Sequence, residues 1–394
     1  MSLSQKGKNK LGLMLTTLIN NVLYMFLNTF LIAYFFTLTN YNYKIISIYY
    51  IFTMLALSFA FCILSRIIKN HSKVCILKIG IFLHTLFILV IALLKDQIVH
   101  HYILLGTFYG IVQAFFWSAA HTLINTYAGE EAKGFVSLKS ILSKSLKIIF
   151  PFLFGASIEL SSFSAVAKVI VILGVLQFLC ACLIKEEKRN KKQKYNLFLY
   201  IRYLFRNKAK DMHDCYKIIV LDGIINYLLE TVVTILIVMT FKTNFSLGTL
   251  TTIFSIFSII SLFVFQRIVK DNTKVLQIGT IFIILGMFLL LIDINKTTVI
   301  LYNLINSIFL VLLLNNAEAK RYGTTNRYPK IKKEFLIEHQ VVSELFLNTS
   351  RIIGYSILYL VSLTNNITYF KVLLVLISVC IYFYSVLLVK LNKR

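Results

Sequence analysis

The chain has 394 residues, of which 58% are hydrophobic and only 14% charged, yet its formal net charge is +25. A soluble domain holds about 45–50% apolar and about 25% charged residues, so these proportions exclude a soluble globular protein and leave a membrane-embedded one. Two prolines, 15 glycines and apolar runs far longer than a strand favour helices over a barrel, and basic residues placed between those runs point to membrane topology rather than nucleic acid.

About 20 apolar residues cross a hydrocarbon core. Twelve such runs follow in order: 11–37, 45–65, 74–94, 102–126, 135–157, 164–184, 217–241, 247–267, 275–293, 298–319, 339–363 and 368–390. The sequence therefore predicts an all-α membrane protein. Lys6, Lys8 and Lys10 precede the first run, Arg66, Lys69 and Lys73 follow the second, and Lys133 follows the fourth. Arg267, Lys270 and Lys274 follow the eighth, and Lys320, Arg321, Arg327, Lys330, Lys332 and Lys333 follow the tenth. Lys390, Lys393 and Arg394 follow the twelfth, whereas the alternate loops hold little beyond Lys44, Lys95, Lys242 and Lys296. Lys and Arg accumulate on the cytoplasmic side, which predicts a multi-pass protein of the plasma membrane with both termini in the cytoplasm. The basic start enters an apolar run too long for a signal-peptide core, so no cleaved leader is expected. Six cysteines show neither CxxC nor Cys/His ligand spacing, so neither a metal nor a disulfide framework is expected.

Residues 185–216 interrupt the apolar pattern. The stretch opens Lys185-Glu186-Glu187-Lys188-Arg189-Asn190-Lys191-Lys192, which cannot cross a bilayer. Near anionic headgroups each basic residue is attracted by about 1 kcal/mol. Within it Leu197, Leu199, Tyr200, Leu204 and Phe205 alternate with Arg202 and Arg206, the pattern of a short amphipathic helix lying on the membrane surface. A plain solvated linker is the competing reading. The interruption divides the chain into 1–184 and 217–394, expected as two six-helix bundles joined by a basic cytoplasmic linker at 185–216.

The two parts repeat one another. Ser65-Arg66-Ile67-Ile68-Lys69-Asn70-His71-Ser72-Lys73-Val74 closes the second run, and Gln266-Arg267-Ile268-Val269-Lys270-Asp271-Asn272-Thr273-Lys274-Val275 closes the eighth. Arg, Ile, Lys, Lys and Val coincide at the same spacing, and Gly80 and Gly279 follow. Two six-helix halves repeated in parallel orientation resemble the major facilitator superfamily. In that superfamily the loop after the second helix carries Gly-x-Leu-Ala-Asp-Arg-x-Gly-Arg-Arg. Here Arg66, Lys69 and Lys73, with Arg267, Lys270 and Lys274 in the second copy, keep its basic character as candidate conformational-switch residues. The glycine and aspartate are missing, which puts the superfamily's latch between halves in question. The fifth-helix signature is reduced to Pro151 and Gly155, which weakens a proton-antiporter assignment. The stretch from Glu344 to Arg351 and the Phe116-Trp117 pair look like an uncharacterised branch from Gram-positive bacteria. The resemblance implies the major facilitator fold: twelve transmembrane helices as two pseudo-symmetric six-helix bundles around a central site.

Polar residues inside the runs are the candidates for that site, because a charge at mid-bilayer costs about 2.5–3.5 kcal/mol and usually faces a cavity or a partner. The first run contributes Asn21 and Asn28, and the fourth Gln113 and Trp117, with His121 nearer the helix end. The fifth places Ser137, Ser140, Lys144 and Lys147 on one helical face. Measured from Gly134, the two lysines lie about 15 and about 20 Å deep at 1.5 Å per residue. They attract an anion or neutralise acids of neighbouring helices. The seventh run aligns Asp222, Asn226 and Glu230, with Glu230 near mid-membrane as the candidate for proton coupling and Asp222 a cap or a partner for a basic loop. Asn303 and Asn306 lie deep in the tenth run. In the eleventh Glu344, Asn348 and Arg351 form one stripe, whose two charges need partners on other helices.

No Walker loop, zinc-ligand pair or nucleophile elbow occurs, so neither an enzyme nor a cofactor is expected. The leading reading is a secondary active transporter moving a small organic solute, anionic or amphipathic, by rocker-switch alternating access, with protons as a candidate coupling ion. Its expected partners are that solute and anionic lipid headgroups, with no nucleic acid, and a monomer is expected. A lipid or lysolipid flippase of the same fold stays open, as does a transport-dead sensor, scaffold or immunity protein.

Overall fold

The computed structural model describes residues 5–128, 132–186, 195–206, 210–271, 273–364 and 366–392. Twelve helices are long and apolar enough to span a membrane. They are α1 Gly7–Leu38, α2 Lys44–Ile68, α3 Lys73–Val99, α4 Tyr102–Ala128, α5 Ala132–Leu160 and α6 Phe163–Cys182, then α7 Lys210–Phe241, α8 Asn244–Asp271, α9 Lys274–Ile292, α10 Lys296–Asn326, α11 Leu336–Thr364 and α12 Ile367–Asn392. Among the described residues there is no strand. In hydrocarbon only a helix or a closed barrel satisfies every backbone group, and these apolar runs satisfy theirs internally. Ser72 caps α3 by accepting from the Cys75 N–H at 3.1 Å, and Ser162 caps α6 by accepting from the Ala165 N–H at 3.2 Å. Asn295 and Thr298 close a reciprocal capping box on α10.

The helices form two pseudo-symmetric six-helix bundles. The repeated glycines show the shared plan at one joint. A side chain on Gly80 would lie 2.8 Å from the Phe116 backbone of α4, and one on Gly279 would lie 2.9 Å from the Phe309 ring of α10. Each glycine thus lets the third helix of its half approach the fourth. The first helix of each half also carries a π-helical turn, Phe26–Leu31 in α1 and Gly223–Leu228 in α7. Between bundles, α2 packs along α11 and α5 along α8, where Gly155 and Gly248 meet backbone to backbone. Pro151 disturbs the hydrogen-bond ladder of α5, and the nearby Ile148 carbonyl accepts from Thr252 of α8 at 2.9 Å.

Among the described residues, Asn9, Lys69, Lys73, Lys185 and Lys390 gather at one end of the bundles, here called the basic end. Asn9 and Lys185 exchange two hydrogen bonds of 2.9 Å there, pinning the exit of α6 to α1. The α7 helix begins at Lys210, earlier than the expected run at 217, because Met212, Cys215, Tyr216 and Ile219 continue one buried face below the apolar stretch. The linker does contain a short helix, Leu197–Arg206. It does not simply lie on the membrane: Tyr200 and Leu204 are buried against Ile331, Phe335 and Val342, while Phe198 and Phe205 point away, 75% and 71% exposed. Burial pushes the Tyr200 hydroxyl well above its ordinary pKa and the Tyr195 hydroxyl up to about 12. Linker residues 187–194 and 207–209 lie outside the described residues.

Candidate functional site

A polar cluster lies at mid-depth where the two bundles meet. Arg351 is 15 residues into α11, about 22 Å at 1.5 Å per residue, and is only 4% exposed. Its guanidinium carbon sits 3.3 Å from the centroid of the Tyr227 ring of α7, and its Nη1 donates to Asn348 Oδ1 at 2.7 Å. The same nitrogen approaches Met54 Sδ of α2 at 3.7 Å, so one arginine side chain contacts both bundles. Stacking on an aromatic face suits a guanidinium, which is more weakly hydrated than an ammonium.

Tyrosines build the rest. The Tyr50 hydroxyl donates to Asn28 Oδ1 at 2.9 Å, and the Tyr50 ring stacks on Tyr355 with centroids 4.4 Å apart. The Tyr355 hydroxyl lies 2.9 Å from Thr231 Oγ1 and donates to the Tyr227 carbonyl at 3.3 Å. Glu230, half-buried, follows Tyr227 by three residues on α7 and directly precedes Thr231. The π turns place Asn28 in α1 and Asn226 with Tyr227 in α7, on the two helices that enter the cluster first in each half. A π turn rotates the side chains that follow it relative to a regular helix and recurs at functional sites.

The structure thus links Asn28, Asn348 and Arg351 through Tyr50, Tyr355 and Tyr227, while Asn226 and Glu230, both half-buried, lie on α7 on either side of Tyr227. Glu344, one to two turns from Arg351, acts on it through space and also on Arg321 and Asp222. Asp222 itself pairs with Arg321 of α10 at 3.2 Å. On α4, Trp117 donates to Gln113 at 2.7 Å and stacks on His121, so two of its polar groups satisfy each other. Asn21 reaches Ser143 of α5 at 2.7 Å, joining two helices of the first bundle. Lys144 is half-buried in the field of Glu318 on α10, and Lys147 is exposed. Asn303 is buried, and its amide donates to the Val299 carbonyl of its own helix at 2.8 Å. Asn306 is half-buried with its amide oxygen unpaired. The side chains of Ser137 and Ser140 lie outside the described residues.

At the basic end Lys69 departs from a simple exposed loop lysine. It is buried and bonds Glu338 of α11, whose Oε1 also accepts from the Asn196 backbone N–H at 3.0 Å, while Lys69 lies 5.7 Å from the Tyr195 ring. One residue further on, His339 Nδ1 meets the Tyr200 and Tyr216 hydroxyls at 2.9 Å each, and those hydroxyls are 2.7 Å apart. First bundle, linker and second bundle therefore meet at two consecutive residues of α11. Arg66 and Lys274 are exposed, and the Lys73 backbone N–H donates to Glu186 Oε1 at 3.1 Å. The side chains of Arg267 and Lys270 lie outside the described residues.

Sequence reasoning missed the tyrosines and Glu338. The tyrosines were findable: Tyr24 lies three after Asn21 and four before Asn28, Tyr109 four before Gln113, Tyr227 three before Glu230 and Tyr355 four after Arg351. These spacings put each ring on the polar stripe already picked out.

The chain is 22% identical to the uncharacterised protein YqgE of Bacillus subtilis over 297 residues, which is 75% of this chain and 69% of that one. Its fold matches a point mutant of the nucleoside transporter NupG with a TM-score of 0.71, at 14% identity, over 97% of this chain and 99% of that one. A bacterial homologue of the iron transporter ferroportin, in an inward-facing state, matches with a TM-score of 0.68 at 15% identity over the whole of both chains. A sequence profile of the Major Facilitator Superfamily matches residues 13–325, and with twelve spanning helices in two related bundles the chain belongs to that superfamily.

Proposed function

We propose that this protein is a secondary carrier that moves a small organic solute bearing an anionic group across the plasma membrane, both termini lying in the cytoplasm. The halves 1–184 and 217–394 rock about the central cluster, and the linker 185–216 keeps them together on the cytoplasmic side. The observation that carries this reading is the mid-depth cluster itself: α1, α2, α7 and α11, from both bundles, bring Asn28, Tyr50, Glu230 and Arg351 to one place in a layer otherwise apolar. Polar groups at that depth are costly and are retained where a solute or ion uses them. Glu230 is the residue through which protons would couple to transport, since it is an acid near mid-depth on the helix that carries Tyr227.

The test uses purified protein in liposomes with candidate organic anions and an imposed pH gradient. Wild type should accumulate a solute, Glu230→Gln should uncouple accumulation from the gradient, and Lys147→Gln, at an exposed position, should change the rate less than twofold. A cysteine at Asn40 should react with an impermeant thiol reagent from outside cells, and one at Gln193 should not. No flux under any gradient would favour a transport-dead sensor or scaffold, and labelling at Gln193 in sealed cells would reverse the orientation.

A further inference from the structure

Arg351 and Asn348 hold each other without using all their donors. Arg351 Nε and Asn348 Nδ2 have no acceptor, although the two residues are 4% and 0% exposed. A buried donor left unpaired carries its full desolvation penalty, so such groups call for a partner. Here the bond from Arg351 Nη1 to Asn348 Oδ1, at 2.7 Å, joins the two groups that carry the unpaired donors. Two adjacent N–H donors, one of them cationic, match the two oxygens of a carboxylate. Glu344 does not occupy that place: it acts on Arg351 through space, without an ion pair between them among the described residues.

The opposite charge lies close by. Glu230 follows Tyr227 by three residues, about 4.5 Å further along α7, while Arg351 covers the Tyr227 ring. Glu230 and Arg351 both act electrostatically on Tyr24 and on Tyr355. A negative and a positive side chain are therefore both associated with the Tyr227 segment of α7. Aromatic faces attract cations.

We propose that the cluster is a receptor for a zwitterionic amino-carboxylate of α-amino-acid size, its carboxylate bound by Arg351 Nε and Asn348 Nδ2 and its ammonium lodged between Glu230 and the tyrosine rings. The proposal rests on the carrier reading above and narrows its solute to a class. The aromatic walls select the side chain, and the two charged ends select the head group.

The test is binding to the detergent-purified full chain, read by thermal shift and calorimetry, which needs no transport. The probes are the twenty protein amino acids and γ-aminobutyrate, and for the best binder its amide and its deaminated acid. The zwitterion should bind at least tenfold more tightly than either singly charged analogue. Glu230→Gln should erase the preference for the amino acid over its deaminated acid. Asn348→Asp supplies Arg351 with its own carboxylate, so it should raise the melting midpoint of the unliganded protein while weakening amino-acid binding at least tenfold. Absence of binding by every probe, equal binding of the singly charged analogues, or undiminished binding by Asn348→Asp overturns the proposal. Flux of another solute class in liposomes together with no amino-acid binding would overturn this inference and leave the carrier reading standing. Binding with the predicted charge pattern but no flux would do the reverse.

Discussion

Two sites on the same pair of helices make opposite use of buried charge. At the basic end of α2 and α11, Lys69 and Glu338 are 2% and 0% exposed and bond each other, with Asn196 of the linker adding a third contact. About 20 Å further along α11, Arg351 is equally buried, yet it rests on a ring and an amide and keeps a donor unpaired. One charge is neutralised by the opposite bundle; the other is only positioned by it. A buried ion pair adds little net stability over apolar packing but is costly to break from one side. It therefore behaves as a latch that specifies which ends of the halves touch. The superfamily's latch aspartate is missing here, and Lys69–Glu338 joins the halves at the corresponding loop with different residues.

The comparison can be broken most directly at the latch. Lys69→Met leaves the buried Glu338 carboxylate without its cation, and we expect it to cost about 3–5 kcal/mol, as breaking buried pairs does. Adding Glu338→Leu should recover most of that loss, read as the melting midpoint in detergent. If the double variant is no more stable than the single, the pair does not act as a unit. Arg351→Gln, by contrast, should lose only about 1–3 kcal/mol, the range for hydrogen bonds to charged groups, while abolishing ligand binding. Equal stability losses at the two sites would erase the distinction drawn between them.

A smaller effect is expected at the other seam. Lys144 of α5 lies in the field of Glu318 of α10 rather than beside Glu230. Both side chains retain access to solvent, so the coupling between Lys144→Gln and Glu318→Gln should be about 0.2–1 kcal/mol. Lys144→Gln and Glu230→Gln should be additive within about 0.5 kcal/mol. Coupling to Glu230 larger than coupling to Glu318 would move the lysine into the central cluster.

Arg351, Asn348 and Glu230 were legible because a charge or an amide inside a twenty-residue apolar run has few innocuous explanations. The tyrosines were hidden because the chain has 22 of them and a membrane helix uses tyrosine at its interfaces as readily as in its interior. Only the spacing from Asn28, Glu230 and Arg351 separates the relevant rings from the rest. Lys147 shares a helical face with Lys144, lies deep by rise per residue and is exposed. Linker residues Tyr200 and Leu204 read as membrane-facing from the alternation of apolar and basic residues alone, yet they cover Phe335 and Ile331.

The sequence by itself determined the twelve spans, their order, the collection of basic segments at one end and the repeat of one half in the other. Each of these depends on the free energy of moving a local stretch of chain out of water, which neighbouring residues settle among themselves. Only the tertiary structure decided that Lys69 meets Glu338, that Tyr227 carries Arg351, and that Asn303 turns back on its own helix. Those pairings depend on the roll and vertical offset of helices far apart in the chain. An apolar solvent exerts no preference over either quantity, so the packing of small residues and the need to satisfy buried polar atoms set them instead.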